Sequence, residues 1–159
     1  YNGIKIAITI CEDIWNLGDN PLYRICPMDE LMKFNPDIML NLSASPFDYT
    51  HDEDRKAVIK SNVLKYKIPL FYCNAVGSQT EIVFDGASLV FDKHANLMKA
   101  FPLFEEALDC VELNEDGSMN GPILEPASRI PEKELNPATL EPQLNIEQVY
   151  QALVSGIRD

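Results

Sequence analysis

Three short apolar runs fix the architecture: Ile4-Lys5-Ile6-Ala7-Ile8-Thr9-Ile10, Asp37-Ile38-Met39-Leu40-Asn41-Leu42 and Pro69-Leu70-Phe71-Tyr72-Cys73-Asn74. Each is too short for a buried helix and is bounded by turn residues, so each reads as a strand buried on both faces. The text between them has helical spacing. Pro27 is placed for the first turn of a helix over Cys26 to Phe34, which Asn35-Pro36 ends. Asp52-Glu53-Asp54 suits a helix N-terminus, and Ile59, Val63 and Tyr66 follow on one face. The order β-α-β-α-β predicts a largely parallel sheet covered by helices.

Beyond Asn74 the text shortens and alternates. Thr80-Glu81-Ile82-Val83-Phe84 and Ala87-Ser88-Leu89-Val90-Phe91 are split by Asp85-Gly86, and Ala107 to Leu113 forms a further piece. Such pieces around Gly and Asp turns predict antiparallel pairing on one margin, hence a mixed sheet in an α/β protein. From Asn114 onward, Pro122, Pro126, Pro131, Pro137 and Pro142 with several acidic residues make an extended connector. Helical spacing resumes at Ile146, Val149, Leu153 and Ile157, with Asn145 as the expected cap. A lone helix cannot bury that stripe, so a partner surface is implied. Tyr1-Asn2-Gly3 opens straight into a strand with no initiating Met, and we expect a chain cut from something longer.

The formal net charge of −12 repels phosphate backbones and anionic headgroups, and no basic stripe offsets it, which argues against nucleic-acid and membrane partners. No apolar stretch approaches membrane-spanning length. Walker and Rossmann glycine spacings are missing, so nucleotide binding has no support within these residues. Cys11, Cys26, Cys73 and Cys110 form no Cys-x-x-Cys pair, and with only His51 and His94 beside them they lack zinc spacing. A reduced, cytosolic protein is the expectation, with Cys73 and Cys110 as buried strand thiols.

Cys11 stands apart. It closes the first strand and is followed at once by Glu12-Asp13-Ile14-Trp15-Asn16, so the strand delivers a thiol to a sharp acidic turn at the carboxyl edge of the sheet. That edge is where open α/β sheets place their ligands, and a thiol there is a candidate nucleophile.

Four motifs then occur in order: Cys11-Glu12-Asp13-Ile14-Trp15, Asn41-Leu42-Ser43-Ala44-Ser45-Pro46-Phe47, Asn74-Ala75-Val76-Gly77 and Val83-Phe84-Asp85-Gly86-Ala87-Ser88. Together they resemble the nitrilase-type glutaminase domain of the glutamine-dependent NAD+ synthetase family. The resemblance implies part of an α-β-β-α sandwich with a mixed sheet. It divides the chain into the second half of that domain over 1–130, a Pro-rich connector over 131–144 and the first helix of a truncated synthetase domain over 145–159. Amide hydrolysis by a Glu-Lys-Cys triad is implied, with Cys11 as nucleophile and the family's Glu and Lys upstream of Tyr1. The Glu12 N–H would help hold the oxyanion, and Trp15, Ser45 and His51 fall on the substrate positions. His51 stands where the family carries a basic residue, with Arg55 one helical turn on.

The same resemblance implies glutamine as substrate, the synthetase domain of the same parent chain as partner, a cytoplasmic homo-oligomer, and ATP with Mg2+ used only in that following domain. On this reading the fragment itself holds no cofactor and is inactive in isolation, with apolar strand edges exposed. Three other readings stay open from the residues: another nitrilase-family amidase, a Cys-His hydrolase pairing Cys11 with His51, and a non-catalytic fragment acting through the connector and the last helix.

Overall fold

The computed structural model describes residues 1–17, 24–48, 51–124 and 142–158, leaving out the side chains of 51–53 and 142–145. Strand β1 (Ile6–Ile10) runs into a 3-10 turn (Cys11–Ile14), then α1 (Pro27–Leu31), β2 (Ile38–Ser43), α2 (His51–Tyr66) and β3 (Leu70–Asn74). The strands β4 (Val76–Gln79), β5 (Ile82–Asp85), β6 (Leu89–Phe91) and β7 (Leu97–Ala100) follow, and α3 (Pro142–Arg158) closes the order.

The main sheet has five strands in the order β1-β2-β3-β6-β7. β1, β2 and β3 are parallel, while β6 and β7 add antiparallel to β3, so the expected mixed sheet is present. β4 and β5 form a separate hairpin. α3 packs on that hairpin, and Gly156 sits so close to Val83 that an added Cβ would touch it.

Side chains alternate between the faces of a strand. On one face Ala7, Met39, Leu70, Tyr72, Leu89 and Phe91 are buried together with Met28 of α1 and Ile59, Val63 and Tyr66 of α2. The anticipated α2 stripe therefore packs as its spacing requires. On the other face Ile6, Ile8, Ile10 and Leu42 are exposed, although the first run reads as a strand buried on both sides. β1 is a sheet edge, and among the described residues no layer covers that face.

Several boundaries move. Pro27 opens α1 as expected, but the α-helix gives way to a 3-10 turn over Met32–Phe34, which Asn35 terminates in the left-handed conformation at φ 51°. β4 and β7 were not foreseen, because Val-Gly-Ser-Gln and Leu-Met-Lys-Ala carry little strand signal. Ala107 to Leu113 is not a strand: only Leu113 makes an isolated bridge, and Leu108 is fully exposed. Cys110 lies in that irregular segment and is therefore exposed, not buried as its strand-like surroundings suggest. Cys73 is exposed as well, because its register with Leu42 puts it on the bare face. α3 begins at Pro142, so residues 142–144 belong to the helix and Asn145 is inside it rather than its cap. The rest of the connector, 125–141, lies outside the described residues.

Candidate active site

β1 carries Cys11 off the carboxyl end of the parallel strands. The chain turns there within one residue, with Cys11 at φ 49° in the left-handed region and the 3-10 turn beginning on the same residue. A non-glycine residue pays about 1–3 kcal/mol for such a conformation, and strain of this kind persists only where its surroundings hold it. They do so from both sides. The Ile10 N–H donates to the Asp13 carboxylate at 2.8 Å, and the buried Asn62 amide on α2 donates to the Ile14 carbonyl at 2.8 Å. The Asn41 amide donates to the Cys11 carbonyl at 3.4 Å. The result is a half-buried thiol on a braced turn, with the Glu12 backbone next in line.

Asn41 is fully buried and joins this turn to the next loop. Its Nδ2 donates to the Thr9 hydroxyl at 3.0 Å, and its Oδ1 accepts from the Ser43 hydroxyl at 2.7 Å. The loop beyond, carrying Ser45, is pinned to β3. The Ser45 N–H donates to Asn74 Oδ1 at 2.8 Å, and Asn74 Nδ2 donates back to the Ser45 carbonyl at 3.3 Å. Phe47 N–H donates to the Val83 carbonyl at 2.7 Å, so the loop also lies along β5.

Behind the loop is a buried ion pair. Arg55 of α2, 1% exposed, donates from Nη1 to Asp85 Oδ2 at 3.1 Å, and Asp85 Oδ1 accepts from Asn74 Nδ2 at 3.0 Å. The guanidinium also lies 5.9 Å from the centroid of the Tyr72 ring. Burial pushes the Tyr72 phenol up from its ordinary value, and the nearby Arg55 cation opposes this. Tyr72 therefore stays a neutral donor and acceptor beside Ser43 and Ser45.

Of the residues singled out in the sequence, Cys11, Glu12 and Trp15 share the turn, with Glu12 exposed and Trp15 half-buried against the core. Ser45 stands on the neighbouring loop and connects to the turn through Ser43 and Asn41. His51 is the first residue of α2, and its side chain lies outside the described ones. Sequence reasoning did not single out Asn41, Asn74, Asp85 or Tyr72 as parts of one network, and gave Arg55 only a possible substrate contact. One signal was available: Asn41 and Asn74 are polar residues at positions of otherwise apolar strands that face the helices. Among the described residues no group of three His, Cys, Asp or Glu side chains is placed to hold a metal ion. No described helix is long and apolar enough to cross a membrane.

No protein-family model matches the chain. A glutamine-dependent NAD(+) synthetase of Synechocystis is 30% identical over 163 residues, covering 100% of this chain and 27% of the relative. One of Thermotoga maritima is 32% identical over 174 residues, covering 98% of this chain and 29% of the relative. The chain thus spans little more than a quarter of the length of these relatives. Among solved structures, a glutamine-dependent NAD+ synthetase from Acinetobacter baumannii, in complex with ADP, superposes with a TM-score of 0.74 at 28% identity, over 100% of this chain and 26% of that one. A Nesterenkonia amidase of the nitrilase superfamily shares the fold at a TM-score of 0.52 and 16% identity, over 65% of this chain and 36% of its own. Over essentially its whole length the chain is thus similar to one segment, about a quarter, of the glutamine-dependent NAD+ synthetases.

Proposed function

We propose that the protein carrying these residues hydrolyses the side-chain amide of glutamine at Cys11 and uses the ammonia for ATP-dependent synthesis of NAD+ from nicotinic acid adenine dinucleotide. One observation carries the reading: Cys11 sits in strained, left-handed backbone at the carboxyl end of a parallel strand, inside a chain related throughout to glutamine-dependent enzymes. A strained, braced turn at a strand end supports a nucleophile better than a packing thiol.

The chemistry assigned to these residues is acyl transfer. The Cys11 thiolate attacks the amide carbon and forms a tetrahedral oxyanion, which the Glu12 N–H is assigned to help hold. Loss of one such donor in other enzymes costs about 3 kcal/mol in the barrier. Collapse expels ammonia, which takes its proton from a glutamate, and water then cleaves the thioester to give glutamate and the free thiol. A lysine ammonium stabilises the thiolate, since an ordinary thiol is only a few per cent ionised at neutral pH. Both partners are assigned to sequence preceding these residues, in the half of the sandwich that covers Ile6, Ile8, Ile10 and Leu42. Trp15 and Ser45 line the glutamine site, and His51 takes the place of the basic anchor.

Residues 1–130 are assigned to the glutaminase domain, the residues from 131 up to α3 to a connector, and α3 (Pro142–Arg158) to the first helix of a synthetase domain. ATP and Mg2+ belong to that following domain, and no step here passes through them. A cytoplasmic homo-oligomer completes the proposal. The test is mass spectrometry after exposure to a glutamine-mimicking diazoketone, with and without the preceding half supplied as a separate chain. Labelling of Cys11 only in the reconstituted sample is expected. Absence of labelling in both samples would return Cys11 to a packing role, and labelling of the isolated chain would overturn the assignment of the triad's Glu and Lys to the preceding half.

A further inference from the structure

The buried Arg55–Asp85 pair is unexplained by the amide chemistry. Arg55 is 1% exposed, yet among the described residues its Nε and Nη2 have no hydrogen-bond partner, and it pairs with Asp85. Burial of a pair whose guanidinium is satisfied this incompletely is a weak source of stability, and apolar replacements of similar volume often match or exceed it. The pair's consequence lies instead in what Asp85 does to Asn74.

An asparagine amide is nearly symmetric in shape, and its two orientations are distinguished by hydrogen bonds alone. Asp85 Oδ2 is held by Arg55, and Oδ1 accepts from Asn74 Nδ2 at 3.0 Å. A flipped Asn74 would set its oxygen against that carboxylate, so only one orientation is allowed. In that orientation Oδ1 accepts from the Ser45 N–H and Nδ2 donates to the Ser45 carbonyl, clamping both backbone groups of one loop residue. The Asn74 main chain is fixed too, its N–H donating to the Ser88 hydroxyl at 3.0 Å. Four elements thus converge: α2 supplies Arg55, β5 ends in Asp85, β3 ends in Asn74, and the loop after β2 carries Ser45.

We infer that Asp85, braced by Arg55, is a positioning residue for the amide site: it sets the orientation of Asn74 and thereby the placement of the Ser45 loop against the Cys11 turn. This rests on the proposed function for its consequence in catalysis, but not for its geometry. Substitution Asp85→Asn leaves one amide oxygen where two carboxylate oxygens served, so Arg55 and Asn74 compete for it.

Two variants of the full-length protein test the idea: Asp85→Asn, and Asp85→Leu combined with Arg55→Met. Both are expected to raise KM for glutamine at least ten-fold, with kcat and the rate of Cys11 alkylation by N-ethylmaleimide within three-fold of the parent. Hydrogen exchange at the Ser45 amide should quicken at least ten-fold while the amides of β2 and β3 keep their protection. A purely structural pair predicts otherwise: the apolar double variant would restore the parent's KM and Ser45 protection, which would overturn the inference. Failure of both variants to fold would likewise assign the pair to folding and overturn it. If the unsubstituted protein does not hydrolyse glutamine, the proposed function falls, and Ser45 exchange alone then decides whether Asp85 positions the loop.

Discussion

The two faces of the main sheet are built from similar residues and meet different surroundings. The face of Ala7, Met39, Leu70 and Phe91 is closed by α1 and α2, and these residues are 0–2% exposed. The opposite face presents Ile8 at 55% and Ile10 at 65% exposure, with Leu42 and Cys73 beside them. Contiguous apolar surface of this kind marks a contact area rather than a solvent face. Composition of a strand therefore does not separate a covered face from a bare one; only tertiary context does.

The sharpest way to break this comparison is to truncate one residue on each face. In the 159-residue chain, Phe91→Ala should cost about 3–5 kcal/mol, the range for emptying a buried aromatic site. Ile8→Ala should stay within about 0.5 kcal/mol there, as exposed substitutions do. If the proposed preceding half covers this face, the same Ile8→Ala change in the longer protein should cost about 2–5 kcal/mol, as for a buried residue. Urea midpoints measure all three. Equal cost for Ile8→Ala in the two settings would mean that nothing docks on the bare face.

Legibility in the sequence followed the same division. The runs that became β1, β2 and β3 were readable because parallel strands leave unbroken apolar text, and α2 because Ile59, Val63 and Tyr66 share a face. The turn at Cys11 was readable because the apolar run stops there at an acidic stretch. The bare face was not, since Ile6, Ile8 and Ile10 look alike in sequence whether a second layer is present or not. β4 and β7 were missed because Gly77, Ser78 and Lys99 are poor strand formers that pairing overrides. The Arg55–Asp85–Asn74–Ser45 chain was missed for a different reason. It joins residues far apart in sequence, and no local pattern reports a contact that only the sheet topology creates.

Adjacent positions 41 and 42 sharpen the comparison at a single residue step. Asn41 points to the covered face and bonds Thr9, Ser43 and the Cys11 carbonyl, whereas Leu42 points to the bare face. Asn41→Leu removes the hub and leaves the buried Thr9 hydroxyl without its donor. We expect a loss of about 1–3 kcal/mol, the desolvation penalty of an unsatisfied buried group. Leu42→Asn in the 159-residue chain should change stability by less than about 0.5 kcal/mol and improve solubility. A costly Leu42→Asn with a neutral Asn41→Leu would reverse the assignment of the two faces.

The smallest expected effect lies at the rim of the covered face, where α1 meets α2. Asp29 accepts from Tyr66 Oη at 2.8 Å and pairs with Lys65 at 2.7 Å, and Tyr66 Oη lies 3.3 Å from Cys26 Sγ. The Lys65 ammonium holds the Asp29 carboxyl below its ordinary value; burial opposes it, and the Tyr66 hydroxyl adds a lesser pull in the same direction as Lys65. A carboxylate whose pKa is depressed on folding adds stability above its unfolded value, near 4 for Asp, and loses it as pH falls through the lower folded value. Side chains 43% and 50% exposed leave the pair screened, so the contribution is at most about 1 kcal/mol. Asp29→Asn should therefore lower the urea midpoint slightly at pH 7 and not at pH 2. Burial raises the Tyr66 phenol above its ordinary value, which gives the opposite limb: its neutral form is favoured in the fold, and stability falls as pH climbs past the unfolded tyrosine value near 10. Tyr66→Phe removes that alkaline limb but keeps the ring in the core, so the acid and alkaline limbs separate the charge at the rim from the packing beneath it.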